Sequence, residues 1–391
     1  MDHSFMQGVE VVERLLLGKG ERTIHCRFNP VKIKLLKYSD KLIGALLTRL
    51  LTTPLSQPIR NPQNILVIRP GGIGDAVLLI PAIRHLKRNY PDAKITLLGE
   101  KRNSTIFSLC SCVDKSIHYD NLRELFTVIR GGYDMVIDTE QWHRLSAVIA
   151  RFTGASLIIG YGTNERKRLF THAVPYSHSD YEAESFINLI ASMGIKRPDK
   201  FNTPFLVIPK YAKQNAERML GNLVAKPFVA IFPGASIPER RWGADKYGEV
   251  SARLYLQGIP VVVIGGKEDA CDREKIDAGN FSLNLVGKTS LVETAAVIDM
   301  SDLLVSGDSG ILHIGVGLGK PTVSLFGPGI AKKWAPSGSR HIVINKNLPC
   351  SPCTKFGYTP KCYISAKCMA DISVDEVVAA IEKLFATNPD D

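Results

Sequence analysis

Aromatic residues make up only 8% of this 391-residue chain, and no nucleic-acid-reading motif accompanies its surplus of positive charge. With few stacking residues and no such motif, nucleic acid ranks last among its expected partners. The chain has no unbroken apolar stretch of about 20 residues, the length a membrane-spanning helix needs. Its N-terminus lacks the compact apolar core and small-residue cleavage site of a secretory signal, so a cytosolic protein is expected. An Asp-x-Asp pair suited to a nucleotide-bound divalent cation is also missing. The glycines at Gly71, Gly72 and Gly74 fit a dinucleotide loop only loosely, which argues against a dehydrogenase.

What is present is basic and apolar. Lysine and arginine number 49 against 38 acidic residues, for a net charge of +11. That balance favours an anionic partner: a phosphorylated substrate or an anionic membrane surface. A 45% hydrophobic content over this length is ample for two cores. From Ile65 onward strands and helices alternate, with strands expected at 65–69, 94–98, 133–139 and 157–160. A polar stretch at 196–203 breaks the rhythm, and strands resume at 227–233, 261–264, 283–286, 303–306 and 322–326. The pattern predicts an α/β protein of two doubly wound parallel sheets. The expected organisation is an N-terminal extension (1–63), a first Rossmann-like domain (64–215), a second (216–372) with a cysteine-rich loop at 349–368, and a final helix (373–387).

Within the extension, residues 31–51 read as a basic amphipathic helix after Pro30, with Val31, Leu35, Ile43, Leu46, Leu47 and Leu50 on one face and Lys34, Lys37 and Lys41 opposite. Such a helix can lie in an anionic membrane interface or pack on the first domain. Residues 52–64 then read as a linker.

Three motifs carry chemistry. Ile65-Leu-Val-Ile-Arg-Pro-Gly-Gly-Ile-Gly-Asp75 runs from a buried strand through a glycine turn into a helix; Asp75 stands at its mouth, as a proton acceptor or a helix cap. Phe232-Pro-Gly-Ala-Ser236 leads to Arg240-Arg-Trp242, whose guanidinium groups can clamp phosphate oxygens. Ser306-Gly-Asp-Ser-Gly-Ile-Leu-His313 closes a strand and opens a small-residue helix, with Asp308 or Ser309 as its N-cap; free N–H groups there would hold an anion. Glu268 and Asp269 follow a strand and Ile264-Gly-Gly266, in the place of a ribose-binding carboxylate. Ligands of such sheets bind beyond the carboxyl ends of the strands, where both glycine turns lie.

Together, in this order, these motifs resemble glycosyltransferase family 9, the bacterial heptosyltransferases of lipopolysaccharide assembly, over about residues 64–384. The resemblance implies a GT-B fold of two facing Rossmann-like domains and metal-independent, inverting transfer of heptose from ADP-heptose to an anionic, lipid-linked core acceptor. It implies that Asp75 deprotonates the acceptor and that Gly71, Gly72 and Gly74 form an acceptor or phosphate loop. The donor would meet Ser236, Arg240, Arg241, Glu268, Asp269, Asp308, Ser309, Gly310 and His313, with Ser309 and Gly310 offering backbone N–H groups to the diphosphate. Several family members carry a lysine in the Lys/Arg-x-Trp position, where this chain has two adjacent arginines. The implied location is the cytoplasmic face of the inner membrane. Alternatives are another glycan or a protein as acceptor, a noncatalytic sugar-nucleotide-binding protein, and an epimerase. The last would need a Tyr-x-x-x-Lys pair, which Tyr119, Tyr133 and Tyr161 do not supply.

Cys26, Cys110, Cys112 and Cys271 read as ordinary thiols. Cys350, Cys353, Cys362 and Cys368 lie close together in a proline- and lysine-rich loop and suggest a structural zinc or iron site, the alternative being reduced thiols. Ser373-Val-Asp-Glu376 reads as a capping box opening the final helix, which is expected to cross back to the first domain.

Overall fold

The computed structural model describes residues 40–55, 61–119, 121–199, 201–272, 276, 281–355 and 358–386. Residues 31–39 of the amphipathic segment 31–51, together with Cys26, lie outside them. The chain divides into two units between residues 201 and 202.

In the first unit, Ile65, Leu66, Val67 and Ile68 are buried on both faces, as a central parallel strand must be. This strand, β1 (Asn64–Arg69), pairs with β2 (Lys94–Gly99) on one side and β4 (Met135–Asp138) on the other, with Val67 opposite Leu97 and Ile137. With β3 (Lys115–His118), β5 (Leu157–Tyr161) and β6 (His172–Val174), the parallel order is β3-β2-β1-β4-β5-β6. The order reverses at β1 and β4, so the carboxyl ends of those two strands flank the topological switch point. Leu66, Ile68, Val136, Ala147 and Ile158 belong to one buried cluster beneath it.

The second unit repeats the plan with β7 (Val229–Phe232), β8 (Val261–Val263), β9 (Leu283–Asn284), β10 (Leu303–Gly307), β11 (Thr322–Phe326) and β12 (His341–Asn345). Its order is β12-β11-β10-β7-β8-β9, with the switch between β7 and β10. Each unit is a Rossmann-like α/β sheet, and a chain of two such units has the composition of the GT-B class expected.

One boundary differs from the sequence reading. The segment 202–215 belongs to the second unit: Phe205 and Leu206 both donate N–H to the Gly317 carbonyl, at 2.8 and 3.1 Å. Gly317 is required for this approach, since a Cβ there would lie 2.8 Å from both side chains. The final helix, Val374–Ala386, is capped as expected, Glu376 accepting from Ser373 N at 2.8 Å and Ser373 Oγ from Glu376 N at 3.2 Å. Its apolar face, Val377, Ile381 and Leu384, belongs to the second unit's core, and the helix falls within that unit.

The described end of the N-terminal extension packs on the first unit. Helix Ala45–Leu50 and the turn before it approach helix Arg144–Phe152 through Gly44, where a Cβ would lie 2.7 Å from the Arg144 Cβ, and Thr48 is fully buried. Asp40 accepts from Leu145 N at 3.3 Å and pairs with His143 at 3.7 Å. The small residues face the domain, leaving Leu42, Leu46 and Leu50 more than half exposed. No helix of the described residues is long and apolar enough to cross a membrane.

Candidate active site

Asp75 sits in the first turn of helix Ile73–Asn89, directly after β1. It does not cap that helix; Gly72 holds the N-cap position. Its carboxylate instead takes a hydrogen bond from Arg69, with Nη2 3.0 Å from Oδ2. Arg69 ends β1 and is fully buried, and its Nη1 donates to the Thr139 carbonyl at 2.8 Å, just beyond β4. Burial works against the guanidinium charge, but Asp75, Glu140 and Glu182 outweigh it and hold Arg69 firmly protonated.

Further buried charge surrounds this pair. Arg166 and Asp138 form an ion pair with no exposed side-chain surface. Glu182, also fully buried, accepts from Gln141 Nε2 at 2.5 Å and Tyr176 Oη at 2.8 Å. The Tyr161 hydroxyl is buried without a hydrogen-bond partner, and burial, with Glu182 next, drives its pKa far up. Sequence reading missed Arg69, Glu182 and Arg166 as parts of a site. Arg69 had left a signal, as a charged residue closing an otherwise apolar strand.

The glycine turn is held from behind. Gly71, at φ 100°, donates its N–H to Glu100 Oε1 at 3.2 Å, and Asn103 Nδ2 donates to the carbonyls of Arg69 and Gly71. Glu100, 5% exposed, also accepts from Tyr119. The Gly71 N–H is therefore committed to a carboxylate, and Gly72 and Gly74 line the same turn.

In the second unit, the loop after β7 carries the two arginines and the loop after β10 the anion-holding turn, so both motifs flank the switch point. Trp242 anchors the arginine loop, its Nε1 donating to the Ile372 carbonyl at 2.9 Å and its ring edge-on to Tyr247. Each arginine meets one of the carboxylates singled out from sequence. Arg240 Nη1 lies 3.1 Å from Asp308 Oδ2, and Arg241 Nη2 lies 3.5 Å from Asp269 Oδ1 while its Nε donates to the Ala235 carbonyl. Asp269 is 3% exposed and accepts from Gly266 N at 3.0 Å. Two glycines make room for these carboxylates. A Cβ at Gly234 would stand 2.5 Å from Asp269 Oδ1, and one at Gly329 would overlap Asp308. Glu268 and Ser236 are exposed beside them.

Ser309 is the N-cap of helix Gly310–Gly317, its Oγ accepting from Leu312 N at 3.4 Å and meeting Ser306 Oγ at 2.8 Å. His313, in the first turn, is 3% exposed and its Nδ1 has no hydrogen-bond partner. Burial pushes its pKa down to about 4, so the ring is neutral at physiological pH.

The cysteine loop does not fit the metal expectation. Cys350 is exposed, Cys353 and Cys362 are half-buried and Cys368 is buried. Among the described residues no group of three or more His, Cys, Asp or Glu side chains is placed to hold a metal ion. These residues are reduced thiols in the structure, and no step is assigned to a metal.

Comparison with known proteins decides the family. The profile of glycosyltransferase family 9 (heptosyltransferase) matches residues 122–364. This chain belongs to glycosyltransferase family 9. The protein is therefore a glycosyltransferase. It is 29% identical over 337 residues to lipopolysaccharide heptosyltransferase 3 of Escherichia coli K12, covering 80% of this chain and 95% of that protein. In fold it is similar to the Escherichia coli ADP-heptose lipopolysaccharide heptosyltransferase II (TM-score 0.70, 23% identity, 82% of this chain and 98% of that one). It is also similar to an Escherichia coli heptosyltransferase solved with ADP-2-deoxy-2-fluoro heptose (TM-score 0.64, 18% identity, 82% and 99%).

Proposed function

We propose that this family 9 glycosyltransferase moves heptose from ADP-heptose onto a lipopolysaccharide core acceptor with inversion at the anomeric carbon. The observation that carries the reading is the carboxylate of Asp75, pinned by a buried arginine at the first unit's switch point. In the transfer, the acceptor hydroxyl gives its proton to Asp75 and its oxygen bonds to the anomeric carbon. The bond from that carbon to the β-phosphate oxygen breaks, and its electron pair leaves with ADP.

Leaving-group charge falls to the second unit. Arg240 or Arg241 exchanges part of its pairing with Asp308 or Asp269 for diphosphate oxygens, and the Ser309 and Gly310 end of helix Gly310–Gly317 adds backbone N–H groups and the positive end of the helix dipole. The unpartnered Nδ1 of His313 and the exposed Glu268 and Ser236 supply further donor contacts. The donor is assigned as an ADP-sugar because a relative in fold was solved with an ADP-heptose analogue.

The enzyme works on a lipid-linked substrate, and we place it peripherally on the anionic cytoplasmic face of the inner membrane. The exposed leucines of the N-terminal helix and the net charge of +11 support that placement.

Binding of ADP-, UDP- and GDP-sugars to purified protein tests the donor assignment. Preference for ADP-sugars is expected, and failure to bind any ADP-sugar overturns it. Asp75→Asn is expected to lose at least about 100-fold in turnover while still binding donor; near wild-type turnover would remove Asp75 as base. Unchanged donor affinity in an Arg240→Ala/Arg241→Ala double variant would remove the clamp.

A further inference from the structure

A fully buried arginine is costly unless its charge is answered, and the groups that answer it show what it does. Three carboxylates act on Arg69: Asp75, Glu140 and Glu182. Two of them are held by other groups. Glu140 accepts the N–H groups of Trp142 and His143 at 2.9 and 3.3 Å, and Glu182 is held by Gln141 and Tyr176. The direct ion pair goes to Asp75, the one carboxylate of the three with appreciable exposure, 18% of its side chain. Nearby, Arg166 is engaged by Asp138, and the Tyr161 hydroxyl, without a hydrogen-bond partner, adds no positive charge.

The guanidinium is fixed on three sides. Nη1 is tied to the Thr139 carbonyl, Nη2 to Asp75, and its carbon lies 5.5 Å from the centroid of the Phe186 ring. Such a group cannot swing away, so it dictates where Asp75 Oδ2 stands and thereby the plane of the carboxylate.

We propose that Arg69 is the positioning residue of the transfer: it orients the Asp75 carboxylate for the acceptor proton and sets a positive charge beside it. The role rests on Asp75 being the base. A guanidinium at this distance sets a compromise, weakening a carboxylate as a base while favouring its deprotonated form. Removing a positive charge that lies 3.0 Å from the carboxylate withdraws support from its charged form, so protonation of Asp75 should move to higher pH.

The test is the pH dependence of kcat/KM for wild type, Arg69→Gln and Arg69→Lys, with donor affinity measured beside it. Arg69→Gln is expected to shift the acid limb upward by at least about one pH unit. Arg69→Lys keeps the charge but loses the two-pronged hold. It should leave the limb within about half a unit and lower kcat about tenfold, with donor binding unchanged. If Arg69→Gln does not fold, Arg69→Lys decides alone: wild-type kcat overturns the proposal, and a loss confined to kcat sustains it. If Asp75→Asn retains turnover, the base assignment falls and takes this role with it. If Asp75→Asn is inactive while both Arg69 variants keep the wild-type limb and kcat, only the role of Arg69 falls.

Discussion

Acid should destabilise the second unit through His313 by an amount that follows from its burial. The ring is 3% exposed and has its pKa pushed from 6.5 to about 4. In the unfolded chain it titrates near 6.5, so between the two values the unfolded state holds a proton that the folded state refuses. The folded pKa of this base lies below the unfolded one, so its contribution is complete above pH 6.5 and is lost as pH falls toward 4. Linkage puts the loss at about 2 kcal/mol between pH 7.5 and 5, and about 3 kcal/mol by pH 4. His341 is also pushed down to about 4, so wild type alone does not isolate the effect. The comparison is therefore His313→Asn against wild type. Urea unfolding at pH 7.5, 6.5, 5.5 and 5.0 would be read by hydrogen exchange in helix Gly310–Gly317, which reports the second unit alone. Wild type should lose about 2 kcal/mol more than the variant over that range. Parallel losses, within about 0.5 kcal/mol, would refute the reasoning, because they would mean the imidazole finds a proton-stabilising partner once charged. Saturating ADP should reduce the wild-type loss if the diphosphate lies beside the ring, since an anion there raises the folded pKa.

Three further outcomes are expected. Ser373→Ala removes one half of the capping box of the final helix and should lower stability by about 1 kcal/mol in thermal or urea unfolding, mainly of the second unit. Docking of helix Ala45–Leu50 should weaken in alkali. The His143 pKa is raised because Glu140 and Asp40 outweigh its burial, so its contribution is full below pH 6.5 and is lost as pH climbs through the folded value. Amide exchange at Leu47 and Thr48, corrected for intrinsic rate, should then be less protected at pH 8.5 than at pH 6, with no such difference in His143→Gln. Leu46→Asp with Leu50→Asp should leave stability within about 0.5 kcal/mol, both side chains being exposed, yet reduce co-sedimentation with phosphatidylglycerol vesicles; unchanged sedimentation would remove this helix as a membrane contact.

The parts of the fold visible in the sequence are those whose physics is local. The strands at 65–69, 303–306 and 322–326 announce themselves because both faces are buried, which demands an unbroken apolar run. The edge strands β3, β6 and β12 escaped notice for the opposite reason. Lys115 and Ser116 in β3 and Ala173 in β6 are exposed, and every residue of β12 is only half-buried, so no such run forms. The capping box at Ser373 and the N-cap at Ser309 were legible because a cap is a relation between residues three apart. The partition at 201/202 was placed at 215/216 because the contacts that decide it, from Phe205 and Leu206 to Gly317, join residues more than a hundred positions apart. The same holds in the site. Asp75 could be singled out from its turn, whereas Glu182 and Arg166 come into its neighbourhood only when β4 and β5 are laid beside β1.

Two sheets of one strand order carry turns of opposite electrostatic character, and the difference lies in a handful of side chains. After β1, the Gly71 N–H is taken by Glu100, and Asp75, Glu140 and Glu182 gather around Arg69. A phosphate brought there would meet carboxylates, whereas a proton leaving a hydroxyl would find an acceptor. After β7 and β10, Arg240 and Arg241 are the charged groups, each paired with an aspartate that a diphosphate can relieve, and a serine-capped helix of small residues begins beside them. That turn suits an anion. Exchanging Glu100 for glutamine tests the contrast. Loss of that carboxylate should leave the Gly71 turn held by the amide oxygen, since Gly71 N and Tyr119 Oη both only donate to it. Turnover should then survive with little change in donor affinity. A gain in affinity for ADP comparable to the loss in the double arginine variant would show instead that the first turn is a phosphate site masked by one carboxylate.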